Sequence, residues 1–290
     1  MKKLAIATAA IALIGTPAFA ADMAVKAPPP APAPVYNWTG WYVGGNVGAS
    51  FGRVKTDFNA DPVTVTVTSP PITIPGFSQS DTSEPSGFIG GGQIGYNWQY
   101  SPLIVVGLEA DFQGSLEKDG ASFTHPFSAT QSIVDAPALA TATGTAVLNY
   151  TAKIDWFGTV RARVGYLWGN GAVLTYVTGG LAYGKVGFDA TSTVSGAVSP
   201  CGLGTCPFST SHAIAHSQVN TGWVVGTGTE GKLLIPGWTY KIESLYIDLG
   251  SDPVTDACLV CSSATSGGLI SGHAHFTDFI LRAGLNYQFH

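Results

Sequence analysis

One serine and two glycine runs are the first residues whose spacing could serve catalysis. Ser50 stands in a G-x-S-x-G sequence, Gly48–Gly52, which in serine hydrolases forms a sharp strand-to-helix turn that exposes the nucleophile. Gly90–Gly95 and Gly226–Gly231 match G-x-G-x-x-G, which binds a dinucleotide only where a strand leads into a helix. None of the three is followed by a helical pattern. We therefore expect no catalytic residue, no nucleotide cofactor and no enzyme activity.

Cysteines and histidines form a second group with chemical potential. Disulfide bonds are the default for cysteines outside the cytoplasm, and the four here fall into two close pairs: Cys201, Cys206, Cys258 and Cys261. Proximity favours pairing within each pair, but bridges between the pairs stay open. Four histidines share the same connections and are candidate ligands for a metal or haemin, against the simpler reading of solvated loop residues: His212, His216, His273 and His275.

Charged residues form a third group, and they alternate with apolar ones. In the closing segment Phe276–His290, nearly all odd positions from Phe279 onward are apolar, while Asp278 and Arg282 occupy even positions. Successive Cβ atoms of a strand point to opposite faces of the sheet. The alternation therefore predicts a strand with one apolar and one polar face.

The same alternation recurs upstream in seven segments, so we predict eight strands: Trp41–Gly52, Gly87–Gln99, Ile104–Gln113, Ala152–Leu167, Val173–Phe188, Val219–Leu234, Trp238–Leu249 and the closing segment. In the fourth segment the pattern assigns Ile154 and Val160 to the apolar face and Asp155 to the polar face. In the fifth, a bulge at Gly179 and Gly180 would shift the phase.

The connections between these segments alternate in length. Short turns rich in Gly, Pro and Asn join three pairs of strands, at 100–102, 169–171 and 236–237. The other connections, near 53–86, 114–151, 189–218 and 250–275, are long, rich in Ser, Thr and Pro, and predicted to be irregular. Short turns at one end and long loops at the other are typical of outer-membrane barrels. The sequence predicts an all-β fold, an eight-stranded antiparallel up-and-down transmembrane β-barrel with four long outer loops and short periplasmic turns.

The polar faces carry nearly balanced charge, which assigns them to the inside. Eight strands enclose a lumen only wide enough to be filled by side chains, and charges there must pair. We predict lipid outside and a plugged interior with an ion network of eleven residues: Glu109, Asp111, Asp155, Arg161, Arg163, Glu230, Lys232, Lys241, Glu243, Asp278 and Arg282.

The composition and the first twenty residues indicate where the protein is located. Only 11% of the 290 residues are charged and the formal net charge is -5, so there is no basic stripe for nucleic acid. Residues 1–20 combine Lys2 and Lys3, an apolar run and Ala18-Phe19-Ala20, as a secretory signal peptide does. We expect cleavage after Ala20, a Pro-rich periplasmic linker over residues 21–37 and the barrel over 38–290.

Seven stretches, in this order, resemble the small eight-stranded outer-membrane barrels of alphaproteobacteria, surface antigens often labelled as porin family and similar in architecture to the OmpA transmembrane domain. They are WTGWYVGGNVG (Trp38–Gly48), GFIGGGQIGYNWQ (Gly87–Gln99), VVGLEADFQGS (Val105–Ser115), DWFGTVRARVGYL (Asp155–Leu167), YVTGGLAYG (Tyr176–Gly184), ESLYIDLG (Glu243–Gly250) and LRAGLNYQF (Leu281–Phe289).

The resemblance implies a protein of the Gram-negative outer membrane that supports envelope integrity and displays surface loops. It implies contact with outer-membrane lipid and lipopolysaccharide, and assembly by the barrel-assembly machinery through a terminal aromatic residue. Phe289 fits that signal, although His290 follows it. Some members of the family bind haemin, so a haemin-binding surface receptor or a narrow porin is the alternative function, and a loop-based adhesin a third. We expect a monomer or a weak oligomer.

Overall fold

A computed structural model describes residues 36–65, 71–132, 139–201, 204–256, 265–267 and 270–289. The predicted signal peptide, most of the predicted linker, Cys258, Cys261 and His290 lie outside the described residues. Among the described residues no helix is long and apolar enough to cross a membrane. They form twelve strands: β1 Gly40–Ala60, β2 Val63–Val65, β3 Ile72–Ile74, β4 Phe77–Ser83, β5 Ser86–Ser101, β6 Ile104–Ser132, β7 Leu139–Trp168, β8 Val173–Cys201, β9 Gly204–Lys232, β10 Trp238–Asp256, β11 Thr265–Gly267 and β12 Ile270–Gln288.

Eight of the described strands close a ring. Each of β5, β6, β7, β8, β9, β10 and β12 is antiparallel to its neighbour, and β12 pairs with β1 from Tyr42–Gln288 to Ala60–Ile270. Because β5 pairs with the other edge of β1, no edge is left open at this level. The fold is the predicted antiparallel barrel, with a three-stranded sheet of β11, β2 and β3 beside it.

The long connections are mostly strand, which corrects the expectation of irregular loops. β6 continues to Ser132 and β7 starts at Leu139, while β8 continues to Cys201 and β9 starts at Gly204. These stretches keep a period-2 alternation in Thr, Ser, Ala and Val, which suits paired strands. We call the part of the molecule beyond the closed ring the extension.

The closed ring has an apolar outer face and a polar inner face. Val160 and Leu281 on the outer face are both 51% exposed, whereas Arg161 and Arg282 are 1% and 2% exposed. The aromatic residues predicted to mark the segment ends are exposed on the outer face: Trp41, Phe51, Trp98, Trp168, Trp238, Tyr246 and Phe289. This arrangement inverts that of a water-soluble barrel and matches a wall that faces lipid.

The extension reverses the two faces. In β7 an extra residue, Asp155, lies between Ile154, which pairs with Val186, and Trp156, which pairs with Lys185. A β-bulge of this kind turns the following side chains to the opposite face. The even, apolar positions therefore face out at Val160 and inward at Ile154, so the predicted assignment of Ile154 to the outer face was wrong. β1 and β8 have no bulge at this level. In these two strands the same positions face inward throughout, but they are largely polar or small in the ring and apolar in the extension.

The predicted bulge at Gly179 and Gly180 is absent. Both residues keep continuous pairing with β7, opposite Ala162 and Arg161, and with β9. Gly180 is needed for space instead, because a Cβ there would lie 2.1 Å from the carbonyl oxygen of Val160.

The extension is a two-layer sandwich. Backbone pairing ends between β9 and β10 at Trp223–Asp248 and between β5 and β6 at Ser86–Lys118. Beyond those pairs, β6, β7, β8 and β9 form one sheet, and β4, β1, β12 and β10 form the other. Their apolar faces meet, since the ring of Phe58 lies with its centroid 5.9 Å from that of Tyr150 and 5.6 Å from that of Phe188.

Candidate functional site

Eight charged side chains converge in the interior of the closed ring, and we call them the interior ion cluster: Glu109, Asp111, Arg161, Arg163, Glu230, Lys241, Glu243 and Arg282. Each is at most 5% exposed. Four are basic and four are acidic, so their formal charges cancel. Because alternate residues of β6, β7, β9, β10 and β12 point inward, the strands bring together groups that are far apart in the sequence.

Glu109 lies at the centre of the cluster. The ammonium of Lys241 donates to both of its carboxylate oxygens at 2.8 and 2.9 Å, and the hydroxyl of Tyr42 donates at 2.7 Å. Arg161 also donates to it, while Arg163 and Arg282 lie 3.5 and 3.6 Å away. One carboxylate thus faces all four basic groups.

Glu243 and Asp111 connect the arginines of two strands. Arg161 donates to Glu243 at 3.0 Å and to Asp111 at 3.0 Å. Arg282 reaches Glu243 at 2.8 Å through Nε and Asp111 at 2.7 Å through Nη2. In the ring, β6 and β10 are opposite strands, and so are β7 and β12. The contact of Glu109 with Lys241 therefore spans the diameter of the lumen, and the contact of Asp111 with Arg282 joins strands three places apart in the ring.

Arg163 closes the side of the cluster nearer to the short turns. Its guanidinium donates to Asn97 Oδ1 at 2.7 and 3.0 Å and to Glu230 at 3.2 Å. It also lies 4.6 Å from the ring centroid of Tyr42 and 5.0 Å from that of Tyr176, as cation–π contacts do. Buried charges are stable only when they are paired and hydrogen-bonded. Every charged group of the cluster has an ion-pair partner, while Asp111 Oδ1, Arg161 Nε and Arg282 Nη1 are buried without a hydrogen-bond partner among the described residues.

A tryptophan fills the lumen at the short-turn end. Trp38 is fully buried against Val105, Leu167 and Leu174, and its indole N–H donates to the carbonyl of Gly171 at 2.9 Å. Tyr36 packs edge-on against Trp38 with ring centroids 5.1 Å apart. The segment that leads into β1 therefore forms an apolar plug below the interior ion cluster.

A second acidic site lies between the interior ion cluster and the apolar core of the extension. Ser50 Oγ is 2.6 Å from Glu117 Oε2 and 2.6 Å from Asp278 Oδ1, and all three residues are buried. Gly52 leaves the space that Glu117 occupies, since a Cβ there would lie 2.0 Å from Glu117 Oε1. Ser50 is enclosed by carboxyl groups inside the barrel and does not sit on a strand-to-helix turn.

Two members of the predicted ion network lie elsewhere. Asp155, the bulged residue, points outward and pairs with Lys185 at 3.2 Å, with the two side chains 36% and 40% exposed. Lys232 is exposed at the short-turn end, with its ammonium 5.1 Å from the ring centroid of Tyr36. The prediction for Asp155 failed because the alternation was continued across a β-bulge. The prediction for Lys232 failed because the alternation was continued beyond the end of the inner face. Asp278 is buried, but it belongs to the Ser50 site.

Sequence reasoning missed several residues of the interior. Glu117 continues the inward phase of Glu109 and Asp111, but the predicted strand stopped at Gln113. Trp38 is in phase with Tyr42, so extending the even positions of the first strand backward would have placed it inside. The contacts of Tyr42, Tyr176 and Asn97 with Arg163 had no signal of their own in the sequence.

The four histidines do not converge. His212 and His216 lie on β9 on the side of the inward residue Val224, and His216 is 3.3 Å from the buried carboxylate of Asp252. His273 and His275 lie on the outer face of β12, where His275 Nδ1 is 3.0 Å from Ser251 Oγ. The structure therefore does not bring the four histidines together, and a metal or haemin site that uses either pair stays a prediction. Burial raises the pKa of Asp252, and His216 opposes part of that rise.

The disulfide pairing and the terminal assembly signal remain predictions. Cys206 is disulfide-bonded, but the side chains of Cys201, Cys258 and Cys261 lie outside the part of the chain that is described, so the pairing is open. Phe289 donates its backbone N–H to the carbonyl of Trp41 at 2.8 Å and packs edge-on against Tyr287. That position suits a terminal assembly signal and does not test it.

Comparison with known proteins agrees with this architecture. The family model described as outer membrane protein beta-barrel domain matches residues 6–289. The 31 kDa outer-membrane immunogenic protein of Brucella melitensis biotype 1 is 33% identical over 300 residues, covering all of both chains. The 25 kDa outer-membrane immunogenic protein of the same organism is 26% identical over 299 residues, covering 100% of this chain and 99% of the relative. A crystal structure of Ail, the attachment invasion locus protein of Yersinia pestis, aligns with a TM-score of 0.29 at 14% identity, covering 84% of this chain and 99% of that one.

Proposed function

This chain belongs to the outer membrane protein beta-barrel domain family, and from that premise we propose that it is a closed structural barrel that supports the envelope, neither conducting solutes nor catalysing a reaction. Its location is the outer membrane of a Gram-negative cell, and it is similar over its whole length to outer-membrane immunogenic proteins. The extension is the part that it displays as a surface antigen.

The interior ion cluster carries this proposal. A conducting pore needs a continuous path of water, whereas Lys241 and Glu109 join opposite walls at 2.8 Å. Arg282 and Asp111 cross the lumen between β12 and β6, three strands apart in the ring, at 2.7 Å. To open a path, several buried ion pairs would have to separate, and leaving a buried charge without its partner costs about 3–5 kcal/mol. The Trp38 plug and the apolar core of the extension are further barriers below and above the cluster.

The surroundings of Ser50 support a non-enzymatic role. A serine nucleophile needs a base to accept its proton and donors for an oxyanion. Among the described residues the Ser50 hydroxyl hydrogen-bonds to the carboxyl groups of Glu117 and Asp278, which supply no donor for an oxyanion while ionised, and Ser50 is fully buried inside the barrel. No substrate could reach it without the barrel opening.

Planar-bilayer recording of the full-length protein tests the proposal. We expect no steady conductance from the native protein, and we expect leak currents from the Arg161→Ala/Arg282→Ala double variant, which empties the middle of the lumen. Arg53→Ala is the matched control, because Arg53 lies on the outer face and its loss should leave the bilayer silent.

Steady conductance of the native protein that Arg161→Ala alters would instead identify a narrow pore. The heat-modifiable gel migration of each variant shows whether it is folded before it is recorded. Because the silent native trace is the primary result, the test does not depend on the variants assembling.

A further inference from the structure

The lysines and arginines of the described residues are distributed unevenly. Of ten, four belong to the interior ion cluster and Lys232 lies at the short-turn end. The other five point outward on β1, β6, β7 and β8, and we call them the basic girdle: Arg53, Lys55, Lys118, Lys153 and Lys185.

The basic girdle lies immediately beyond the apolar outer face. Arg53 follows Phe51 by two residues, Lys118 follows Leu116 by two and Lys185 follows Tyr183 by two. Phe51 and Leu116 are 55% and 76% exposed. Residues two apart on a strand share a face and are separated by about 6.6–6.8 Å. The cations therefore begin one same-face step above the surface that contacts hydrocarbon.

Two lysines of the girdle oppose each other directly. Lys118 of β6 pairs across the ladder with Lys153 of β7, and like charges in that position destabilise a sheet. Lys153 is partly compensated by Asp189 at 2.9 Å, and Lys185 by Asp155 at 3.2 Å. Within the described part of the chain, Lys118 has no carboxylate within ion-pairing distance.

The same holds for the cations of β1. Arg53 and Lys55 have no ion pair among the described residues, and Lys55 lies opposite His275 in the register with β12. The unfavourable cross-strand pair, together with three cations that have no ion pair among the described residues, calls for an anion from outside the protein. In the outer membrane, lipid headgroups would lie at this height, because the apolar outer face of β1 and β6 ends at Phe51 and Leu116.

We propose that the basic girdle binds the phosphate groups of lipid in the outer leaflet, with Lys118 and Lys153 as the main site. A phosphate between the two ammonium groups would neutralise their repulsion, and an acyl chain would descend beside Leu116 and Phe88, which is 77% exposed. The occupant is a phosphorylated glycolipid of the lipopolysaccharide class. This inference rests on the outer-membrane location and not on the closed lumen.

Native mass spectrometry of the full-length protein in non-ionic detergent tests the site, with diphosphorylated lipid A as the probe and dephosphorylated lipid A of the same acyl pattern beside it. We expect the phosphorylated lipid to bind more tightly. The Lys118→Gln/Lys153→Gln variant should lose about 30-fold in affinity, because each lysine near an anionic surface contributes about fivefold. Binding should also weaken with added salt, which screens exposed charges.

Two control variants distinguish the effect of charge at Lys118 and Lys153 from the effect of changing the side chain or of removing a cation elsewhere. Lys118→Arg/Lys153→Arg keeps both charges and should retain most of the affinity. Lys232→Gln removes one exposed cation at the opposite end and should change nothing. Three results would overturn the proposal: equal affinity for both lipids, an equal loss from Lys232→Gln, or displacement of the lipid by inorganic phosphate at equal concentration. A protein that conducts but still selects the phosphorylated lipid would contradict the closed lumen and leave this inference standing.

Discussion

At the scale of single residues, Ser50 shows how protonation is fixed by geometry. A hydroxyl group has one hydrogen to donate, yet Ser50 Oγ lies 2.6 Å from a carboxyl oxygen of Glu117 and 2.6 Å from one of Asp278. Both contacts are hydrogen bonds only if one carboxyl group is protonated and donates to Ser50. The pair then holds one negative charge rather than two in a buried place.

We predict that Glu117→Gln preserves this site while Ser50→Ala damages it. The amide of glutamine can donate to Ser50 Oγ, whose own hydrogen still goes to Asp278, so the free energy of unfolding should change by less than about 1 kcal/mol. Ser50→Ala leaves two buried carboxyl groups without their shared partner and should lower it by about 1–3 kcal/mol. Urea unfolding in detergent micelles at neutral pH measures both. An equal loss from the two variants would argue against the shared proton.

At the scale of elements, β-bulges connect two environments that need opposite faces. The register of β10 with β12 shifts between Asp248 and Ser251, and Gly250 lies there with a φ of +75°. Before the shift, odd-numbered residues of β10 such as Ile247 face inward. After the shift, the even-numbered residue Asp252 faces inward. Because β7 has its bulge at Asp155, two separate strands change faces where the outer surface passes from apolar to polar.

Gly250→Ala should be costly for a backbone reason alone. A Cβ at Gly250 would have ample room, since its nearest neighbour is the carbonyl oxygen of Thr221 at 3.7 Å. A left-handed backbone costs a residue with a side chain about 1–2 kcal/mol, so we expect a loss of that size in unfolding free energy. Gly179→Ala is the matched control, because that glycine also has room, with its nearest neighbour at 3.5 Å. If the two variants lose the same unfolding free energy, the left-handed backbone of Gly250 is not the source of the loss.

The alternation of apolar and polar residues predicted the eight ring strands and which face of each strand is apolar. It could do so because, in the ring, apolar residues occupy one face of each strand and polar residues the other. It failed at Ile154 and Asp155, since one inserted residue changes the face without changing the pattern. The alternation also failed beyond Gln113. Stretches rich in Ser, Thr and Gly were predicted to be loops there, whereas they pair with a neighbouring strand and are themselves strands. Which charges meet across the lumen depends on the order and stagger of the strands, which alternation along one strand does not contain.

At the scale of the whole molecule, the chain combines two kinds of core. The closed ring has ion pairs inside and an exposed apolar outer face, while the extension has apolar side chains packed between its two sheets. Tyr150 belongs to the second kind, and its hydroxyl donates to Asp81 of β4 at 2.6 Å. Burial together with that hydrogen bond raises the pKa of Tyr150 to about 12. The two cores meet at the Ser50 site.

Phe58→Ala should loosen the extension and spare the ring. Phe58 is 6% exposed between the sheets, and removing a buried phenyl ring costs about 3–5 kcal/mol. We expect faster hydrogen exchange by mass spectrometry in peptides from 119–132 and 139–152, and unchanged protection at Arg161 and Arg282. Phe51→Ala, which removes a phenyl ring from the lipid-facing surface, is the control. Fast exchange of 119–132 already in the native protein would favour the irregular loops instead.

The length of the strands has a consequence for antibody recognition. β7 has 30 residues, and a tilted strand needs only about 9–11 to cross the hydrocarbon of a bilayer. At about 3.3 Å per residue, the rest reaches roughly 60 Å along the strand. We therefore expect the extension to offer an antibody far more paired strand than irregular loop.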